Sequence, residues 1–405
     1  MIKNIWDENS RCLQCKKPAC KKGCPAGTPM NEVIKLVREN KIREAGEMLF
    51  ENNPLSLITS LICPHEEFCE GHCVLSHKHD AVQTGSIEHY VSDYYLNTVD
   101  FEPQIDPEKK VAIIGSGPAG MTMALLLARK GYDITIFESH EKIGGVLRYG
   151  IPEFRLPKSI LDRYYKLLVK AGVKIRPNTL VGTVITLDEM FRDGYKAVFV
   201  ASGTWKPRKL NIVGESLGHV YYAIDYLRSP STHSLGKKVC VIGGGNVALD
   251  CARTAIRKGA KEVTVYYRKG EEDMPSSKSE ISYAKLDGVS FEFYRAPVRI
   301  TDNQVIFTRT DVEGETNNEI AYDADTVLIS ISQGPRSIIA DSTRDLKLNN
   351  LGLIIIDETG RTKKEGVFAS GDVVTGARTA VEAVAATKKA AKTLDDYVTN
   401  LLQNK

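Results

Sequence analysis

Two stretches of the chain repeat one pattern of apolar and polar positions. Val111–Ile114 is a short apolar run that leads through glycines into helical spacing from about Pro118 to Lys130, followed by a second apolar run, Ile134–Glu138. Further along, Val239–Ile242, a helical stretch from about Asn246 to Lys258, and Val263–Tyr267 repeat it. A strand buried on both faces is apolar throughout, whereas its crossover helix carries apolar residues every third or fourth position. Both stretches therefore read as βαβ units, and the alternation predicts an α/β protein with two Rossmann-like parallel-sheet nucleotide domains.

The first hundred residues follow a different pattern, polar and helical. Val33, Ile34, Val37, Ile42, Ala45 and Leu49 recur at helical spacing and predict a helix over Asn31–Phe50 between two groups of cysteines. A proline-containing linker, Phe101–Pro107, ends this region. The expected organisation is a helical head over 1–106, a discontinuous nucleotide domain over 107–215 and 326–405, and a second nucleotide domain over 216–325 inserted in it.

With 405 residues, 42% hydrophobic and 26% charged, the chain can bury several cores, which argues against disorder. The net charge of +3 is small and its lysines and arginines are spread out, so no nucleic-acid partner is expected. No run approaches the ~18–20 apolar residues of a membrane span, and Met1–Asn4 lacks a signal-peptide core. A cytoplasmic protein without a membrane partner is the expectation.

Cysteine placement changes the picture most. Seven of the nine cysteines lie between Cys12 and Cys73, and Cys240 and Cys251 stand apart. An odd total at tight local spacing points to reduced thiolates that ligate metal rather than to disulfides. The spacing is Cys12-x2-Cys15-x4-Cys20-x3-Cys24-Pro25, then Cys63-Pro64-x4-Cys69-x3-Cys73. In two-cluster ferredoxins the cysteine before proline ligates the other cluster. By that logic Cys12, Cys15, Cys20 and Cys73 hold one 4Fe-4S cluster, while Cys24, Cys63 and Cys69 hold a second that needs one ligand of another kind. Zinc is the competing reading, because His65, His72, His77 and His79 crowd the same region. A structural zinc, however, leaves a reduced cofactor in the adjoining domain with no electron exit. Cys240 and Cys251 read as small buried hydrophobes, and the absence of C-x-x-C in that half argues against a disulfide reductase.

Both βαβ units carry the glycine turn of a dinucleotide site. Gly115-Ser116-Gly117-Pro118-Ala119-Gly120 follows a strand and opens a helix, and Glu138 closes the next strand, placed to accept hydrogen bonds from a ribose. Gly243-Gly244-Gly245-Asn246-Val247-Ala248 is the second such turn, with alanine in third place. Its following strand ends in Tyr267-Arg268-Lys269, so cations stand where a carboxylate would repel a 2′-phosphate. That favours NADPH and leaves NADH open.

Glu141-Lys142-Ile143-Gly144-Gly145 and Gly366-Val-Phe-Ala-Ser-Gly371-Asp372 look like the additional FAD contacts of flavoproteins with two dinucleotide-binding domains. That resemblance implies that Asp372 hydrogen-bonds the ribityl chain and that the helix beginning near Thr379 points its N-terminus at the flavin. With Arg148–Pro157, Gly203–Pro207 and Met274-Pro275 added, nearly the whole chain resembles the small (beta) subunit of bacterial glutamate synthase and the matching half of dihydropyrimidine dehydrogenase. Met274–Glu280 and the compact length look closest to the electron-input subunit of the bacterial dihydropyrimidine dehydrogenases. The resemblance nominates Glu88 as the eighth cluster ligand, with His89 beside it as the alternative. It implies hydride transfer from NAD(P)H to FAD, and then single electrons passing through two 4Fe-4S clusters to an FMN-containing large subunit in a hetero-oligomer. The second cation that some NADPH-using members carry after Arg268-Lys269 is missing here. No side chain is expected to act as acid or base, because hydride passes directly between cofactors. A free-standing diaphorase and a zinc-bearing scaffold are the rival readings.

Overall fold

The computed structural model describes residues 4–100, 102, 104–311 and 319–404. Its chain falls into two compact units, one built from residues up to Leu147, Glu153–Thr204 and from Pro335 on, the other from Arg148–Pro152 and Trp205–Gly334.

The first unit is organised on a parallel sheet in the order Val367–Ala369, Ala197–Val200, Asp106–Ile114, Tyr132–Phe137, Lys174–Arg176. At its centre Ile113 pairs with Ile136 on one side and Phe199 on the other. All of Val111–Ile114 and Tyr132–Phe137 is buried, the two-sided burial that an unbroken apolar run demands. The central strand starts at Asp106 rather than Val111, with an irregular register between Asp106 and Lys110, so the end of the expected linker is already strand. Helix Pro118–Ala128 ends two residues before the reading placed its end and packs against the C-terminal helix Ala380–Gln403.

The head belongs to this unit. The single helix expected over Asn31–Phe50 is two helices, Met30–Arg38 and Ile42–Asn52. The break has a local cause. Asn40 adopts the left-handed region at φ 60°, and the Lys41 and Asn40 N–H groups return to the Leu36 and Val37 carbonyls, which closes a helix end. Both helices still bury the expected residues: Val33, Ile34 and Val37 meet Ala45, Leu49 and, from helix Thr84–Thr98, Ile87 and Val91. Cys12, Cys20 and Cys73 pack at the margin of that core. The head is joined to the sheet region by the buried Tyr164 hydroxyl, which donates to the Pro54 carbonyl at 2.9 Å, and by the Arg163–Asp93 ion pair at 2.6 Å.

The second unit has its own parallel sheet, in the order Val220–Tyr222, Thr326–Ile329, Lys238–Ile242, Glu262–Tyr267, Ser290–Phe293. An antiparallel sheet of Arg295–Ile300, Gln304–Arg309 and Ile320–Asp323 accompanies it. Cys240 and Cys251 sit 2% and 0% exposed in apolar cores, and burial raises both thiols above the usual range. Helix Asn246–Arg257, which opens from the second glycine turn, is anchored by Arg253. Its guanidinium meets Glu280 at 2.6 Å and Asp287 at 2.8 Å and is itself 8% exposed. Removing one partner of a buried pair strands the others. Arg253→Ala is therefore expected to destabilise this unit by about 3 kcal/mol, read as a lowered urea midpoint, while the transition of the first unit stays in place.

Candidate functional site

In the first glycine turn each glycine is required by a different neighbour. Gly115 has φ 95°, and a Cβ on it would lie 2.5 Å from the Ala201 carbonyl oxygen. A Cβ on Gly120 would lie 1.9 Å from the Gly115 oxygen, where the helix crosses the strand. Gly117 is different: the nearest atom its Cβ would meet is the Gly145 Cα, 4.0 Å away. That leaves an open approach to the backbone at the start of Pro118–Ala128, where free N–H groups and the helix dipole favour a pyrophosphate. The residues therefore fit a dinucleotide.

Glu138 is 3% exposed and braces the turn. Its carboxylate accepts from the Ser116 N–H at 2.9 Å and hydroxyl at 2.5 Å, and from the His140 N–H at 2.8 Å. Burial pushes its carboxyl up, but the donors of His140 and Ser116 outweigh burial and hold it below the ordinary range. The distant C-terminal motif arrives at the same place, since a Cβ on Gly371, at φ 76°, would come within 3.0 Å of the Ala119 Cβ. Asp372 follows it. Burial raises the Asp372 carboxyl to about 6, against the opposing Arg378 N–H. Thr379 caps Ala380–Gln403 in a capping box with Glu382, so its own hydroxyl is engaged by that carboxylate at 2.7 Å.

The second turn repeats the scheme. Gly243 has φ 140° and packs against the Ser330 carbonyl, while Gly245 has nothing within 4 Å of its Cβ direction. Asn246 is turned inward, and its side-chain oxygen accepts from the Ser277 N–H at 3.2 Å. Ser276 closes over the turn by donating to the Gly244 carbonyl at 2.6 Å. Val247 packs on the core of this unit. Arg268 and Lys269 are exposed at the end of their strand, and an acidic turn, Glu271–Asp273, follows, with Lys269 3.9 Å from Asp273.

The thiols gather into the two groups read from their spacing. Cys12, Cys15, Cys20 and Cys73 line one pocket whose other walls include Met30, Ile34, Leu75 and Val82. Burial raises the Cys20 thiol, and the charges of Cys12, Cys73 and Cys15 add to it. The second group is deeper. Burial raises Cys63 well above the thiol range and Cys69 to about 12, and each senses Glu88 and Cys24. Glu88 is 8% exposed, and burial lifts its carboxyl to about 8. His89 Nδ1 lies 3.4 Å from the Ser60 hydroxyl. Buried acids with raised pKa become good ligands only when a cation draws off their protons. Hydroxyls already point at two sulfurs: Thr84 donates to Cys69 at 3.1 Å, and Thr28 lies 3.3 Å from Cys24. Among the described residues no three His, Cys, Asp or Glu side chains converge on one ion position. The four thiols that line one shared pocket are the donor set a four-iron cluster takes.

Two residues here have roles that the motifs do not assign. Ser116 stands between the first two glycines, yet its N–H and hydroxyl both donate to Glu138. Lys388 reaches from the C-terminal helix to the Ala26 carbonyl and the Asn52 side chain, and no local signal announces it.

Known proteins resemble this chain along its length. Residues 109–387 match the family described as pyridine nucleotide-disulphide oxidoreductase, and residues 2–99 match dihydropyrimidine dehydrogenase domain II, 4Fe-4S cluster. The glutamate synthase (NADPH) small chain of Azospirillum brasilense is 34% identical, over 96% of this chain and 88% of its own. The NAD-dependent dihydropyrimidine dehydrogenase subunit PreT of Escherichia coli (strain K12) is 32% identical, over 96% and 93%. Among solved structures, Mycobacterium tuberculosis FprA in complex with NADPH superposes with a TM-score of 0.62 at 20% identity, over 74% of this chain and 86% of that one. The thioredoxin reductase of T. acidophilum gives 0.58 at 23%, over 72% and 99%. Both structures share the fold.

Glu88→Ala is expected to alter the absorption and paramagnetic spectra of one cluster and to leave FAD content unchanged. Cluster spectra identical to those of the unaltered chain would remove Glu88 from the ligands.

Proposed function

Given that the chain belongs to the pyridine nucleotide-disulphide oxidoreductase family, in the group of the glutamate synthase small chains and the PreT subunits, we propose that it is the electron-input subunit of a two-component enzyme. It is an oxidoreductase that uses FAD, NAD(P)H and 4Fe-4S chemistry. In the finer reading it takes hydride from NADPH and passes single electrons through two clusters to an FMN-containing large subunit. The observation that carries this reading is the meeting of head and flavin segment. Pro25 and Ala26, next to Cys24, share a cavity of about 460 Å³ with Gly371, Asp372 and Glu382.

When bound, FAD would supply two-electron chemistry toward a nicotinamide and one-electron chemistry toward iron–sulfur clusters. The protein's own residues supply position and field. Gly115, Gly117 and Gly120 with the helix N-terminus hold one pyrophosphate, Glu138 the ribose, and Asp372 the chain leading to the ring. Gly243, Gly245 and Asn246 hold the nicotinamide nucleotide, with Arg268 and Lys269 at its 2′-phosphate. Cys24, Cys63, Cys69 and Glu88 form the inner relay, and Cys12, Cys15, Cys20 and Cys73 the outer one.

The outer pocket is walled from solvent by Leu13 and Val74, themselves 61% and 43% exposed. Around it Lys16, Lys17, Lys21, Lys22 and Lys78 are exposed, and from Arg11 to Asn31 there is no carboxylate. Electrons leave here, to a partner presenting an acidic face.

Two experiments test the reading. In anaerobic stopped flow with NADPH, Cys63→Ser should bleach its flavin at the usual rate while the outer cluster stays oxidised; an outer cluster reduced as fast as before would contradict the serial path. Reversing Lys16, Lys17, Lys21 and Lys22 to glutamate should lower ferricyanide reduction about tenfold relative to hexaammineruthenium(III). An unchanged ratio of the two rates would place the exit elsewhere.

A further inference from the structure

Lys388 lies on the C-terminal helix Ala380–Gln403, about two and a half turns beyond the Thr379 cap. Its ammonium donates to the Asn52 side-chain oxygen at 2.7 Å and to the Ala26 carbonyl at 3.2 Å. Both acceptors are neutral. Among the described residues it has no carboxylate partner, and Glu382 on the same helix is occupied by Arg378 at 3.1 Å and by the Thr379 hydroxyl at 2.7 Å. Yet the lysine is half-buried, and a cation taken out of water needs a counter-charge as well as acceptors. Burial pulls its pKa below the usual lysine range, and the one opposing influence is the Cys24 sulfur, two residues before Ala26.

Cys24 belongs with Cys63, Cys69 and Glu88, a group of three thiols and one carboxyl. A 4Fe-4S cluster on four such anionic ligands is net negative and gains a further negative charge on reduction. A fixed cation beside it stabilises the reduced form more than the oxidised form and raises its potential.

Resting on the functional reading above, we propose that Lys388 is the positioning residue of the inner relay: it fastens the Cys24–Ala26 loop to the flavin helix and its charge sets the potential of the cluster on Cys24, Cys63, Cys69 and Glu88. Its two hydrogen bonds place that charge by the loop that carries Cys24 rather than by Cys12, Cys15, Cys20 and Cys73, so it acts mainly on the inner cluster.

The test is an anaerobic redox titration of the full-length protein, followed by electron paramagnetic resonance, with iron and FAD assayed in each sample. The inner cluster is identified as the signal that Glu88→Ala alters. Lys388→Met should shift that midpoint to more negative potential and leave the outer midpoint in place, with FAD unchanged. Lys388→Arg should bring it back toward the unaltered value. An unshifted inner midpoint at full iron content overturns the assignment, as does an equal shift of both clusters or an arginine variant no better than methionine. If Lys388→Met loses the iron, Asn52→Ala decides, since it keeps the charge but removes the shorter of the two hydrogen bonds that hold the ammonium in place: a moved midpoint supports the role and an unmoved one refutes it. An unaltered chain that carries FAD without iron would instead defeat the functional reading on which this rests.

Discussion

A nicotinamide gives up its electrons as a pair, an iron–sulfur cluster takes them singly, and the passage of each through protein weakens steeply with distance. The whole arrangement therefore depends on bringing sulfur ligands close to the place where a flavin sits. One helix does this. Ala380–Gln403 begins at a capping box beside Asp372, packs along the helix that opens from the first glycine turn, and reaches the Cys24–Ala26 loop through Lys388. Because a helix is rigid over a few turns, the flavin end and the cluster end cannot drift apart independently.

The second constraint is electrostatic. Burial lifts Cys63, Cys69 and Glu88 toward their neutral forms, and Thr84 and Thr28 present hydroxyls to sulfur rather than cations. Such a site is unstable as a set of free anions and suits a metal group that brings positive charge, so cluster binding there would be coupled to ordering of the head. The hydroxyl contacts would then tune its potential, as outer contacts do at metal sites generally. At the nucleotide turns the logic is steric instead: backbone crowding excludes side chains at Gly115 and Gly120, and the open direction at Gly117 and Gly245 is left for the ligand.

What the sequence revealed follows from how local each cause is. The two βαβ units and their turns are readable because the apolar strand runs and the glycine spacing of each lie within about thirty residues, and both appear with shifts of only a few positions. Over Asn31–Phe50 the apolar spacing predicts one helix where the structure has two, because that spacing nearly continues across a break set by the backbone of one residue, Asn40. The step from Val37 to Ile42 in that spacing was the available signal. The thiol grouping was readable from cysteine–proline spacing, but Glu88 came from resemblance, since nothing in Gly85–Glu88 marks a carboxyl as buried. Lys388 could not have been found at all: its partner Ala26 is 362 residues away in sequence, and a lysine in a helix ordinarily marks a solvated face.

The central claim is that sulfur-bound iron stands beside the flavin of this chain. Its most direct measurement is the iron and acid-labile sulfide content, relative to FAD, of protein prepared without oxygen. The account predicts about eight of each per flavin, as two four-iron clusters require. Fully flavin-loaded protein with neither iron nor sulfide would contradict it.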